Sequence, residues 1–233
     1  MGEQHIIPAI IPRSLVRLRE TIESLHGVAP EIQIDIVDGI CAPEKSWPYR
    51  DVSPEEAHSI VQHTRHRDLV PEGMSFELDL MIAHPLVTLA DWLALAPTRV
   101  VLHLESFENE AQVRGGIEMV RARSARTIIA TLNDTPLEHL LALVPHIDGV
   151  QCMGIAEIGR QGNAFDERVL TRIHTIRQNY PELSITVDGS VNTDTILLLK
   201  RAGADRFVVG SAIFNSDDPV QAYRQLCALV DAL

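Results

Sequence analysis

At 233 residues, 45% of them hydrophobic, the chain can bury a large core and still fall within the range of one α/β barrel domain over residues 1–233. A formal charge of −12 with no basic stripe excludes nucleic acid and an anionic membrane surface as partners, and no apolar run approaches the roughly 18 residues of a membrane helix. Cys41, Cys152 and Cys227 lack any CxxC spacing, and the opening MGEQHIIPAII carries neither the basic start of a signal peptide nor a myristoylation pattern; three reduced thiols in a cytoplasmic protein are the expectation.

Taken in chain order, β-rich runs at 5–11, 32–38, 75–82, 98–104, 126–132, 147–153, 184–189 and 205–210 alternate with segments of helical periodicity. The latter cover 14–25, 53–64, 85–95, 110–123, 136–144, 167–178, 192–202 and 219–233. Eight of each at about 29 residues per unit, with no Gly, Pro or Ser-rich linker, predict a closed (β/α)8 TIM barrel rather than an open doubly wound sheet. Helix starts agree: Ser53 precedes Pro54 with Glu55 and Glu56 in the first turn, and Asn192 or Thr193 is placed to cap the helix reaching Lys200.

The second run, IQIDIVDG, alternates in an unusual way. Ile32, Ile34 and Ile36 share one face, which leaves Gln33 and Asp35 on the other. In a barrel the isoleucines pack under the helices while the amide and the acid enter a closed interior. FELDLMI follows the same rule, with Phe76, Leu78 and Leu80 outward and Glu77, Asp79 and Met81 inward. Neighbouring strands therefore present Asp35 and Asp79 to one interior. Buried unpaired carboxylates cost several kcal/mol, so two together call for a cation, a shared proton or water. A solvated barrel mouth in which the acids merely accept hydrogen bonds is an equal reading of the pattern alone.

The last two units add a second signal. SITVDGSV ends strand seven with Asp188, Gly189 and Ser190, and RFVVGSAIF ends strand eight with Gly210 and Ser211 before a helical turn. Loops after these two strands form the recurrent phosphate cradle of TIM barrels, since their backbone N–H groups point at the anion. The competing explanation is that both glycines only supply tight turns.

From IIPAII to GSAIF the chain resembles the ribulose-phosphate 3-epimerase family. The motifs are IDIVDG, LDLMIAHP, VVLHLES, the LNDTPLE turn after strand five, VDGSVN and AGADRFVVGSAIF. The resemblance implies a cytosolic, homo-oligomeric enzyme that inverts C3 of a ketopentose 5-phosphate with two aspartates and a divalent metal. Those aspartates correspond to Asp35 and Asp188, and Met81 and Met153 match methionines that cushion the intermediate, although core filling explains a lone methionine as well. The chain departs from the family pattern in four places. Gln33 and Asp79 stand where members carry histidine metal ligands, Ala9 replaces the serine of the first strand, and MGIAEIGRQGNAF replaces the glycine-rich loop after strand six, bringing in Glu157 and Arg160.

Replacing two imidazoles by an amide and a carboxylate leaves an all-oxygen ligand set of Gln33, Asp35, Asp79 and Asp188, which suits Mg²⁺ or Mn²⁺ over Zn²⁺ and binds more weakly. Three converging negative charges favour a bound cation. Arg160 is placed either to contact phosphate over the mouth or to lie solvated beside Glu157. His103 points toward the mouth, as a pocket residue or a hydrogen-bonded structural one, and Trp47 and Tyr49 form a lid or a subunit contact. Three functions fit: a phosphoketose epimerase, another phosphosugar lyase or synthase on the same barrel, or a phosphosugar-binding protein without turnover. Against the second, ELDLMIAH lacks the lysine of the DxKxxD motif that the synthase and decarboxylase branch carries.

Overall fold

The computed structural model describes residues 5–159 and 162–232. Eight strands, β1 (His5–Ile10), β2 (Glu31–Val37), β3 (Ser75–Met81), β4 (Arg99–His103), β5 (Arg126–Thr131), β6 (Gly149–Met153), β7 (Ser184–Asp188) and β8 (Arg206–Val209), follow one another in a closed parallel barrel. Between and after them run α1 (Leu15–Glu23), α2 (Pro54–His63), α3 (His66–Leu69), α4 (Leu89–Ala94), α5 (Glu110–Arg121), α6 (Leu137–Leu141), α7 (Arg168–Asn179), α8 (Ile196–Ala202), α9 (Ser211–Phe214) and α10 (Pro219–Asp231). None of the described helices is long and apolar enough to cross a membrane.

The strand pattern sorts the side chains as the alternation requires. Ile32, Ile34, Ile36, Phe76, Leu78 and Leu80 are fully buried in one large cluster with helix residues such as Leu18, Trp92 and Ile173. Burying each is worth about 1.5–3 kcal/mol, and a one-residue slip would expel all six into the polar interior. Inside the barrel, Ile7, Ala9 and Val208 form one small apolar group, Val101, Ile128 and Ala130 another. Val37, Met81 and Met153 lie with Ile155 in a third, toward the strand C-termini.

A buried charge network closes the N-terminal end of the barrel. Arg206 Nη2 donates to Glu77 Oε2 at 2.6 Å and to Glu31 Oε2 at 3.0 Å, and Arg99 Nη1 reaches the same Glu31 carboxylate at 3.2 Å. Two acids and two guanidiniums are thereby neutralised within one layer, which meets the requirement that buried ions be paired. The inward direction expected for Glu77 holds, with Arg206 as its partner.

Ser53 caps α2 with a capping box: its Oγ accepts from Glu56 N at 3.2 Å while Glu56 Oε2 accepts from Ser53 N at 2.9 Å. The start of α8 differs from expectation. Asn192 Oδ1 accepts from Asp194 N and Thr195 N, which closes a turn, and the helix begins only at Ile196. Trp47 is no lid. It is 8% exposed and packs edge-on against Trp92 with ring centroids 6.2 Å apart, while Tyr49 packs partly buried on the same core. The three cysteines are unpaired.

Candidate active site

The parallel register sets Asp35 opposite Asp79 across β2 and β3, and Met153 opposite Asp188 across β6 and β7. All four residues point inward at the C-terminal end of their strands. Carboxylate oxygens of Asp35, Asp79 and Asp188 lie within 4.8 Å of one another, so the three acids could hold a metal ion. Their mutual repulsion is relieved by amides threaded between them. Gln33 Nε2 donates to Asp35 Oδ1 at 2.9 Å and to Asp188 Oδ2 at 3.1 Å. Gln151 Nε2 donates to Asp79 Oδ2 at 2.7 Å and reaches Asp188 Oδ2 at 3.4 Å. On the far side His103 Nε2 lies 2.8 Å from Asp79 Oδ1.

In this low-dielectric pocket Asp35 and Asp188 hold their protons tightly. Burial pushes Asp35 well above the usual carboxylate range, and the charges of Asp188 and Asp79 push it further. Asp188, which still opens onto the cavity above, is pushed up to about 7 by burial first and Asp79 second. The two titrate jointly. For His103, burial lowers proton affinity but the Asp79 carboxylate more than offsets it, so the net shift is upward. Its Nδ1 is buried without a partner, so Nε2, facing the Asp79 carboxylate, is the nitrogen placed to donate.

Above the acids lies a cavity lined by Ala9, Asp35, Met81, Met153, Asp188, Gly189, Ser190, Gly210 and Ser211, among others. Two groups of residues singled out in the sequence, the acid pair and the loops after β7 and β8, thus meet in one space. The loop backbone is tightly specified. A Cβ on Gly154 would meet Gly189 O at 2.2 Å, and one on Gly189 (φ +97°) would meet the Ile155 side chain at 2.6 Å. Gly154 N also donates to Asp188 O at 2.7 Å, which welds the end of β6 to the end of β7. Asn133, from the LNDTPLE turn, donates to Met153 O and to Asp166 Oδ2, each at 2.9 Å, and so holds the loop after β6 from the other side.

The profile of the Ribulose-phosphate 3 epimerase family matches residues 5–214. The chain belongs to the ribulose-phosphate 3-epimerase family. Members of that family are epimerases acting on carbohydrate phosphates. Relatives named ribulose-phosphate 3-epimerase include one from Mycobacterium tuberculosis (strain ATCC 25618 / H37Rv), 29% identical over 97% of this chain and 92% of the relative. Another, from Eremothecium gossypii, is 27% identical over 91% of this chain and 87% of the relative. Among solved structures, KGPDC from Streptococcus mutans shares the fold with a TM-score of 0.71 at 11% identity, covering 97% of each chain. A 3-hexulose-6-phosphate synthase does so with a TM-score of 0.68 at 18% identity, covering 97% of this chain and 99% of that one.

Several expected pocket residues of this ribulose-phosphate 3-epimerase family chain sit differently. His103 does not line the cavity: it is fully buried below it, behind Asp79, whose carboxylate is the ring's one hydrogen-bond partner among the described residues. Gln33 and Asp79 likewise lie beneath the cavity lining, at 0% exposure. Arg160 lies outside the described residues. Gln151 escaped notice, although the alternation that ends at Met153 puts it inward two positions earlier, the same signal that exposed Gln33.

Proposed function

We propose that this chain inverts C3 of a ketose phosphate of the ribulose 5-phosphate and xylulose 5-phosphate type, with Asp35 and Asp188 as the paired proton carriers. The observation that carries this is their meeting in one cavity whose far wall is the loop pair Gly189, Ser190, Gly210 and Ser211. One carboxylate takes the proton from C3, the planar enediolate forms, and the other, already protonated, returns a proton to the opposite face. No electrons are exchanged with any partner, and the two aspartates end with their protonation exchanged. Carboxyls with raised proton affinity suit this task, because one member of the pair then holds a proton near neutral pH. Met81 and Met153 keep one wall of the cavity apolar, and Ala9 leaves room where a larger residue would intrude. Backbone N–H groups of the loops after β7 and β8 take the phosphate in a chain whose net charge is −12.

The residues fit a divalent cation. Three carboxylates converge, and the buried Oε1 atoms of both Gln33 and Gln151 have no hydrogen-bond partner. Asp35, Asp79, Asp188 and Gln33 would hold it, and the oxygen donors favour Mg²⁺ or Mn²⁺ over Zn²⁺. When bound, such an ion supplies positive charge to offset the negative oxygen beside the reacting carbon. Assembly as a homo-oligomer belongs to the same proposal and is supported by Ile40 and Val87, 76% and 74% exposed along one groove beside Tyr49. A cytoplasmic setting is supported by the three unpaired thiols.

The deciding experiment is deuterium incorporation at C3 when the protein meets ribulose 5-phosphate in D₂O with Mn²⁺ or Mg²⁺. Incorporation that vanishes in Asp35→Asn is expected; none with any of several ketose phosphates would leave a phosphosugar-binding protein instead.

A further inference from the structure

Gln151 takes no part in the proton transfer proposed above, yet it is tightly held among the acids of the barrel interior. It is fully buried, its Nε2 sits 2.7 Å from Asp79 Oδ2 and 3.4 Å from Asp188 Oδ2, and its Oε1 has no hydrogen-bond partner. Gln33 repeats the arrangement one step along. Its Nε2 bridges Asp35 and Asp188, and its Oε1 is likewise buried without a partner. The order across the site is Asp35, Gln33, Asp188, Gln151, Asp79, His103, with each amide nitrogen lodged between two carboxylates.

An orphaned buried carbonyl oxygen costs about 1–3 kcal/mol, so a side chain carrying one is held in only half of what its amide can do. The place Gln151 Nε2 occupies between two carboxylates is also one a cation would favour, and N–H protons facing a cation repel it. Turning the amide about its last bond exchanges nitrogen and oxygen while leaving the rest of the side chain in place. A donor that screens two acids then becomes an oxygen that faces a cation between them. We propose that Gln151 is a protein ligand of the cation site, one that screens Asp79 and Asp188 through its N–H groups when no cation is present and turns its Oε1 inward when one binds, in step with Gln33. The proposal builds on the cation site described above and adds to it a residue from β6.

The test separates an oxygen ligand from a mere N–H donor, using Mn²⁺ binding by electron paramagnetic resonance on the full chain. Gln151→Leu, which has neither group, should weaken Mn²⁺ about 10–100-fold, the usual cost of losing a supporting residue at a metal centre. Gln151→Glu keeps an oxygen and loses the N–H groups; it should bind Mn²⁺ at least as tightly as the parent. Should Gln151→Glu lose Mn²⁺ while Gln151→Leu retains it, Gln151 is a donor only and the proposal fails. A readout that needs no variant to fold is the ¹⁵N-labelled glutamine side-chain spectrum of the parent protein. On adding Mg²⁺, two NH₂ pairs should lose the downfield proton shift that a carboxylate acceptor causes; Mg²⁺ binding that leaves them unmoved overturns the assignment, as does a parent protein that binds neither ion. Deuterium exchange at C3 keeps the two readings apart. Exchange at C3 in a protein whose Mn²⁺ affinity is the same in Gln151→Leu as in the parent removes the ligand role and leaves the epimerase intact, whereas cation binding through Gln151 without exchange does the reverse.

Discussion

The barrel interior holds two buried polar layers built on opposite terms. At the N-terminal end Glu31, Glu77, Arg99 and Arg206 form a closed set in which every carboxylate meets a guanidinium. Toward the C-terminal end Asp35, Asp79 and Asp188 meet amides and one imidazole, and among the described residues no lysine or arginine pairs with them. The lower layer pairs each of its carboxylates with a guanidinium and leaves only Arg206 Nε without a partner, so its charges are matched from within the barrel. The upper layer is held together by neutral dipoles, and it retains both proton-holding acids and unused amide oxygens. Polar burial of the first kind marks structure. Burial of the second kind, left incomplete by the protein alone, marks a place where something else arrives.

The sharpest way to break this contrast is at the acids. Asp188→Asn should cut C3 exchange by about 10²–10⁴-fold, the span general acid–base catalysis supplies, with circular dichroism unchanged. A variant that exchanges at the parent rate removes Asp188 from the chemistry. In the lower layer the expected loss is in stability instead. Arg206→Met strands Glu77 and costs about 3–5 kcal/mol, or roughly 10 °C in melting temperature at ~2–4 °C per kcal/mol for a chain of this size. Exchange per folded molecule should persist, and the further change Glu77→Met should recover most of the stability. If Arg206→Met abolishes exchange in protein that is still folded, the two layers are not separable.

A third measurement tests the incompleteness directly. Mn²⁺ at a hundredfold over its dissociation constant should stabilise the chain by about 2.7 kcal/mol, and a chelator should reverse the gain. Asp35→Asn should lose that gain. The smallest expected effect concerns pH. A carboxyl whose folded-state pKa is raised favours the folded state at low pH and loses that contribution as pH rises through the folded value. With Asp188 near 7 in the fold and an ordinary carboxylate when unfolded, the metal-free chain should melt roughly 2–4 °C higher at pH 6.5 than at pH 8. Metal stabilisation should run the opposite way and grow with pH, because the cation competes with those protons. Flat profiles would mean that the acids are ionised in the fold without help.

Much of this was legible in the chain itself. Period-two alternation placed Ile32, Ile34 and Ile36 outward and Asp35 inward, because a closed barrel allows no third environment. The loops after β7 and β8 were legible from Asp188, Gly189 and Gly210, which line one cavity, with the Ile155 side chain crowding Gly189. Gln151 was not, since one amide among the apolar residues of GVQCM carries no charge to draw notice, and its meaning depends on partners 37 and 72 residues away. His103 was placed toward the mouth because alternation gives the face but not the depth. Barrel shear sets depth, and it drops the imidazole behind Asp79. The lid alternative for Trp47 fails for a related reason: its loop is long, and length alone does not reveal that Trp47 N donates to Pro12 O at 2.7 Å and that the ring packs in the outer core.

The contact between Gly154 and the Gly189 carbonyl leaves no room for even a methyl group. Heritable variation therefore has almost no purchase on this arc of the rim, where any new side chain would pry Asp188 from its station. Novel substrate preference in descendants of this chain must therefore arise elsewhere around the opening.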